Sequence, residues 1–139
     1  MKSQFSKLLI VILLILTSST CKEKCQKSIN FVNNSEIELY VISSIFYPDT
    51  NSYKTAFPDP TLNKYYYKVE PNSTSNRAIR YRTCIEAKLS MDTLMIYVFE
   101  AKVLETIPWD TVKAKNLVLK RYDVSIDDIK RMNWTITYP

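Results

Sequence analysis

The chain has 139 residues, 46% hydrophobic and 24% charged, and carries a formal net charge of +5, values that fit one folded domain with a core of ordinary size and exclude a disordered tether. It contains no histidine and no glycine. The first absence removes the commonest general base and metal ligand, and the second removes every glycine-rich phosphate loop and with it the common nucleotide-binding folds.

At the amino terminus Lys2 and Lys7 flank the apolar run Leu8 to Leu16, and Thr17-Ser18-Ser19-Thr20 follows before Cys21. A positive stretch, a short apolar stretch and small residues make a secretory signal over residues 1–20. The apolar run is less than half of the ~20 residues that a membrane span needs. Without Lys2 and Lys7 the remainder has 17 basic against 14 acidic residues, a net +3, too mild and too scattered for a nucleic-acid footprint.

A cysteine directly behind such a segment resembles the lipobox of bacterial lipoproteins, in which the peptide is cut before the cysteine and lipid is attached to it. Ser18 and Thr20 stand where that motif usually carries leucine and a smaller residue. Cys25 suits the role less, because Lys22-Glu23-Lys24 precedes it. Cysteine arithmetic agrees: the chain has three, and lipid on Cys21 leaves Cys25 and Cys84 to form a disulfide in an oxidising compartment. Residues 21–27 then form a lipidated tether and residues 28–139 a single domain.

In that domain Ile29 and Phe31, then Ile37, Leu39 and Val41, alternate with polar residues around Asn33-Asn34-Ser35, the pattern of a β-hairpin. From Pro48 to Lys64 periodicity is lost and three prolines appear, the pattern of a long surface loop. Tyr65-Tyr66-Tyr67 begins another strand, Asn72 to Asn76 makes a polar turn, and Arg80 to Leu89 reads as a weaker strand. Thr93 to Phe99 is apolar on both faces and is the expected central strand. Pro108 precedes a short helix over Trp109 to Lys115, Leu117 to Val124 is a strand, Ser125 caps a short helix, and Trp134, Ile136 and Tyr138 alternate in a closing strand. The sum is a mainly β, sandwich-like body of antiparallel sheets with one or two short helices near its C-terminus, or alternatively an α+β sheet.

Through FVNNSEIELYVISSIFYPDT and VLKRYDVSIDDIKRMNWTITYP the chain resembles a group of small outer-membrane lipoproteins of Bacteroidetes, over most of its length after the signal. The resemblance implies an outer-membrane, lipid-anchored position and no established biochemical activity. In that phylum an acidic stretch after the lipidated cysteine marks surface export, whereas Lys22-Glu23-Lys24 is net positive, which favours the periplasmic face. Asp92-Thr93-Leu94 and Asp110-Thr111-Val112 match the phylum's Asp-Thr-aliphatic glycosylation pattern, as ordinary surface threonines also do.

Chemistry-bearing residues are few. Adjacent Asp127 and Asp128 at a helix start suit capping and not a converging catalytic pair. Asp49, Asp59 and Glu70 lack a regular calcium-ligand spacing. Cys84 has no histidine to activate it. Arg80 and Arg82, with Tyr47 and Tyr53 near the long loop, form the expected ligand surface, since guanidinium and phenol groups recognise acidic or sugar-like ligands. No catalytic residue, metal or cofactor is expected. The expected function is a lipid-anchored envelope module that binds an envelope protein or glycan or gives structural support, with a carbohydrate-binding accessory or a small envelope hydrolase as alternatives. An exposed aromatic platform among Tyr47, Tyr53, Phe57 and Tyr65 to Tyr67 would mark the carbohydrate reading.

Overall fold

The computed structural model describes residues 25–89 and 91–139. The signal segment and Cys21 lie outside the described residues. Seven strands run in chain order as β1 (Ser28–Asn33), β2 (Leu39–Ser44), β3 (Lys68–Val69), β4 (Ser73–Arg80), β5 (Thr93–Glu100), β6 (Lys120–Ser125) and β7 (Thr135–Tyr138). They form a three-stranded sheet ordered β4-β1-β7 and a four-stranded sheet ordered β3-β2-β5-β6. Every pairing is antiparallel except β1 with β7.

The two sheets face each other across a core that includes Ile29 and Phe31 from one side and Leu39, Val41, Leu94, Ile96 and Val98 from the other. The mainly β, two-sheet reading therefore holds. β5 explains the doubly apolar run: its opposite face, Met95, Tyr97 and Phe99, is buried under a second cluster. Helices α1 (Ser52–Ala56), α3 (Ala101–Thr106) and α4 (Trp109–Lys115) supply that cover, through Tyr53, Leu104, Trp109 and Val112. A strand buried on both faces has no polar side to alternate with. β1 and β7, with polar Asn30 and Thr137 facing out, keep a period of two.

Five local expectations are corrected. β1 and β2 are not a hairpin, for they lie in different sheets. The residue that turns the chain between layers is Asn33, fully buried, whose Nδ2 donates to the carbonyls of Ile37 (2.8 Å) and Glu70 (3.0 Å) while its Oδ1 accepts from the Ser35 amide (3.0 Å). The segment expected as a long loop contains α1, a 3-10 turn (Pro60–Asn63) and α2 (Lys64–Tyr67), so Tyr65 to Tyr67 are helical, and only Lys68–Val69 extends. Asp59 starts that turn by accepting from the Thr61 amide at 2.8 Å. The polar turn shrinks to Asn72, because β4 begins at Ser73. β4 then stops at Arg80, and beyond it Ile85 and Leu89 plug the core without strand pairing.

Helix α5 (Ile126–Arg131) starts as read, with the Ser125 hydroxyl accepting from the Asp128 amide at 3.1 Å. It is the fifth short helix among the described residues, where one or two near the C-terminus were expected. The missing glycines are replaced by Asn72, Asp92, Asn116 and Asn133 at positive φ, with Trp134 as a fifth such position. Asn and Asp tolerate this region better than other residues with a side chain.

Candidate basic and aromatic cleft

Cys25 and Cys84 are joined by a disulfide, with Cα atoms 5.2 Å apart. The bridge is continued by two backbone hydrogen bonds, Ile85 amide to Gln26 carbonyl and Tyr81 amide to Lys27 carbonyl, both 2.8 Å. The segment Cys25 to Lys27 is therefore tied to the body. Lys27, two residues after one cysteine, is drawn towards Arg82, two residues before the other.

Next to this clamp β4 departs from regular pairing. Ile29 pairs with Ile79 and Phe31 with Ser75, so three residues of β4 (76–78) lie opposite Asn30 alone. The Ser75 hydroxyl accepts from the amides of Arg77 and Ala78, each at 3.3 Å, and so takes up donors that the ladder releases. A bulge re-aims side chains and commonly sits beside functional sites. Here Arg77 and Arg80, three apart and thus on opposite faces of a regular strand, both line one open cleft.

The cleft has a volume of about 800 Å³ and is formed where the end of β2, α2 and β4 meet. Its charged lining consists of Lys27, Arg77, Arg80 and Arg82, with no carboxylate among them. Its rings are Phe46, Phe57, Tyr66, Tyr67 and Tyr81. The Arg77 guanidinium carbon lies 4.1 Å from the centroid of the Tyr65 ring, a cation–π contact at the cleft rim. At the inner wall the hydroxyls of Tyr81 and Ser43 are hydrogen-bonded at 2.7 Å. Burial pushes the Tyr81 phenol up to about 12, so it stays protonated and able to donate.

Of the expected ligand surface, Arg80 and Arg82 meet in this cleft, although Arg82 lies beyond the strand end. Tyr53 does not belong to a surface at all. It is fully buried, with ring centroids 4.7 Å from Tyr97 and 5.7 Å from Phe99, and its hydroxyl donates to Asn116 Oδ1 at 2.6 Å. Tyr47 packs half-buried on the same helix-side cluster and does not line the cleft. The platform expected for a carbohydrate reduces to Tyr65 and Tyr66, which remain exposed, with Phe57 and Tyr67 half-buried. Lys27, Ser43 and Phe46 were not legible as site residues, yet the paired cysteines already implied that Lys27 approaches Arg82.

A second polar cluster lies at the β2–β3 edge. Glu105 Oε1 accepts from Tyr40 (3.1 Å), Lys68 (3.2 Å) and Lys64 (3.3 Å), and Lys68 also pairs with Glu38 at 2.8 Å. Lys68 holds the carboxyls of Glu38 and Glu105 below their ordinary range, while a hydrogen bond shared with Glu38 raises Glu70. Lys64 and Lys68 are matched by Glu105 and Glu38, and these pairs tie β2, β3 and α3 together. The remaining candidate carboxylates are dispersed: Asp59 caps its turn, Asp49 accepts from the Asn51 amide, and Asp128 pairs with Arg131. Among the described residues no group of three or more His, Cys, Asp or Glu is placed to hold a metal ion, and no helix is long and apolar enough to cross a membrane.

No family model matches the chain, and no curated protein and no solved structure matches it either.

Proposed function

We propose that this chain is a lipid-anchored, non-catalytic binding module of the cell envelope, attached through Cys21 on the periplasmic face of an outer membrane, and that it binds an anionic ligand in the β4 cleft. The observation that carries the binding function is the concentration of Lys27, Arg77, Arg80 and Arg82 around one cleft without a lining carboxylate. Guanidinium groups pair carboxylates and phosphates through two parallel hydrogen bonds, and the aromatic lining accepts the flat or apolar part of the same ligand. The anchor reading is supported by cysteine use: the bridge consumes Cys25 and Cys84, which leaves Cys21 as the third cysteine. Intact mass of the protein from membranes of its native host tests the anchor. A chain that begins at Cys21 with attached acyl groups supports it, and a chain that begins elsewhere without them refutes it.

Binding is tested by calorimetric titration with glucuronate, inorganic phosphate and neutral glucose against wild type and an Arg80→Gln, Arg82→Gln variant. The anions should bind wild type, glucose should not, and the variant should lose binding while keeping its far-ultraviolet spectrum. The carbohydrate-accessory reading keeps one observation in its favour, the exposed Tyr65 and Tyr66 rings at the cleft rim, in a T-shaped pair with centroids 5.2 Å apart. Glucose binding that survives the double substitution would favour that reading.

A further inference from the structure

We infer that the ligand of the cleft is the phosphate of an anionic lipid headgroup, in the leaflet that carries the anchor, and that the cleft rim rests in the membrane interface. This rests on the cleft and anchor proposed above and names their ligand. Three independent observations lead to it.

The first is reach. Lys27 is six residue steps from Cys21, so even a fully extended chain places it within about 21 Å of the lipidated residue. The disulfide and its two backbone hydrogen bonds then fix Lys27 and Arg82 beside each other on the body. A lipid on Cys21 therefore holds the basic cleft close to the headgroup layer by covalent geometry alone.

The second is the make-up of the rim. Phe46 and Tyr66, which line the cleft, are 53% and 46% exposed, and Tyr65 is 63% exposed. Leu62, beside the lining residue Asn63, is 80% exposed. Phe46 and Tyr66 share the cleft lining with the cations, Tyr65 lies against Arg77, and Leu62 adjoins the lining through Asn63. Apolar and tyrosine side chains next to lysine and arginine are the composition that settles at a membrane interface, where rings sit at headgroup level and cations meet phosphate. A site for a freely soluble anion has no need of such a rim.

The third is the state of the charges. In the neighbouring basic hollow near α1 and β6, Arg121 pairs with Asp123 at 3.0 Å, and Lys54 and Lys120 lie over the rings of Tyr53 and Tyr122. In the cleft, Lys27, Arg80 and Arg82 have no carboxylate within ion-pair distance among the described residues. Like charges held together without counter-charge repel, and an anionic surface relieves that repulsion.

The test uses the lipidated full chain on vesicles of phosphatidylcholine, with or without phosphatidic acid, after flotation has verified that the anchor holds it on both. Arginine accessibility is read by phenylglyoxal modification and mass spectrometry, with the exposed Arg131 as internal reference. Arg80 and Arg82 should react about tenfold more slowly on phosphatidate vesicles, the occupancy expected from one charge-assisted hydrogen bond per guanidinium. Millimolar inorganic phosphate added to plain vesicles should protect them much less than phosphatidate does, because it meets the cations without the rim contact. Leu62→Ser should reduce the phosphatidate protection about fourfold, the equivalent of one methylene withdrawn from the interface.

Equal protection by free phosphate overturns the inference and leaves an anion-binding cleft. Equal protection on plain phosphatidylcholine overturns it in favour of simple apolar contact. No protection by phosphatidate, phosphate or glucuronate overturns the cleft reading itself, and failure to float overturns the anchor. A Leu62→Ser variant with unchanged protection removes the rim from the contact and so refutes the second half of the inference.

Discussion

Opening the Cys25–Cys84 bridge has a cost that follows from the sequence separation of 59 residues. In the chain-entropy account, a cross-link of that span restricts the unfolded ensemble by about 4 kcal/mol at room temperature. The native state offers little to offset its loss, since among the described residues the backbone hydrogen bonds that otherwise tie the segment are those accepted by the Gln26 and Lys27 carbonyls. Each is worth about 1 kcal/mol net. A Cys25→Ser, Cys84→Ser variant should therefore be about 4 kcal/mol less stable in urea, followed by far-ultraviolet dichroism and by fluorescence of the buried Trp109. The urea dependence should steepen, because the uncrosslinked chain exposes more surface when unfolded. Melting should fall by about 15 °C for a domain of this size. Reduced wild type should behave like the variant. A loss below about 1 kcal/mol with unchanged urea dependence would refute the argument, for it would mean that the unfolded chain was already confined without the bridge.

Asn33→Ala should cost about 3 kcal/mol in the same urea assay, because the carbonyls of Ile37 and Glu70 and the Ser35 amide lose their buried partner together; a cost under about 1 kcal/mol would show that water replaces the side chain. Tyr53→Phe should cost about 1 kcal/mol through the lost bond to Asn116, and Tyr53→Ala about 4 kcal/mol through the cavity between Tyr97, Phe99 and Trp109. Comparable losses in the two variants would refute the packing account. Burial pushes Tyr40 and Tyr81 up to about 12 and raises Tyr53, Tyr97 and Tyr122 as well. Their folded-state values lie above the unfolded value of 10.0, so the stability they contribute is whole below pH 10 and drains as pH rises towards 12. Ultraviolet titration of the folded chain should show a late-ionising phenol fraction to which Tyr40, Tyr53, Tyr81, Tyr97 and Tyr122 contribute, and the absence of any such fraction would contradict this.

What was legible in the sequence was legible because one physical cause dominated. The run Thr93 to Phe99 is apolar on both faces because β5 is covered by a sheet on one side and helices on the other. Ser125 announced α5 because a capping hydroxyl acts within one turn. The failures share another cause, that alternation records which face is buried and not which strand is the neighbour. Ile29, Phe31, Leu39 and Val41 point into one core whether β1 and β2 pair in one sheet or face each other across two, and the choice was made by Asn33 through contacts 4 and 37 residues away. Tyr65 to Tyr67 have strand propensity, yet the capped turn before them continues into helix, and two of the three rings stay in solvent where propensity has little packing to express.

The site shows the same limit at closer range. Arg80 and Arg82 stood out by spacing alone, but their regular alternation would have sent Arg77 to the other face. It is the bulge at residues 76–78, stabilised by Ser75, that turns Arg77 back towards them. Nothing in the local sequence encodes that, because the two extra residues are defined only against Asn30 on β1. Lys27 arrives by a third route, the covalent bridge. One strand irregularity and one cross-link thus gather four exposed cations that lie apart along the chain around a single cleft. Their convergence beside the disulfide-clamped end of the described chain is the observation on which the proposed anionic partner rests.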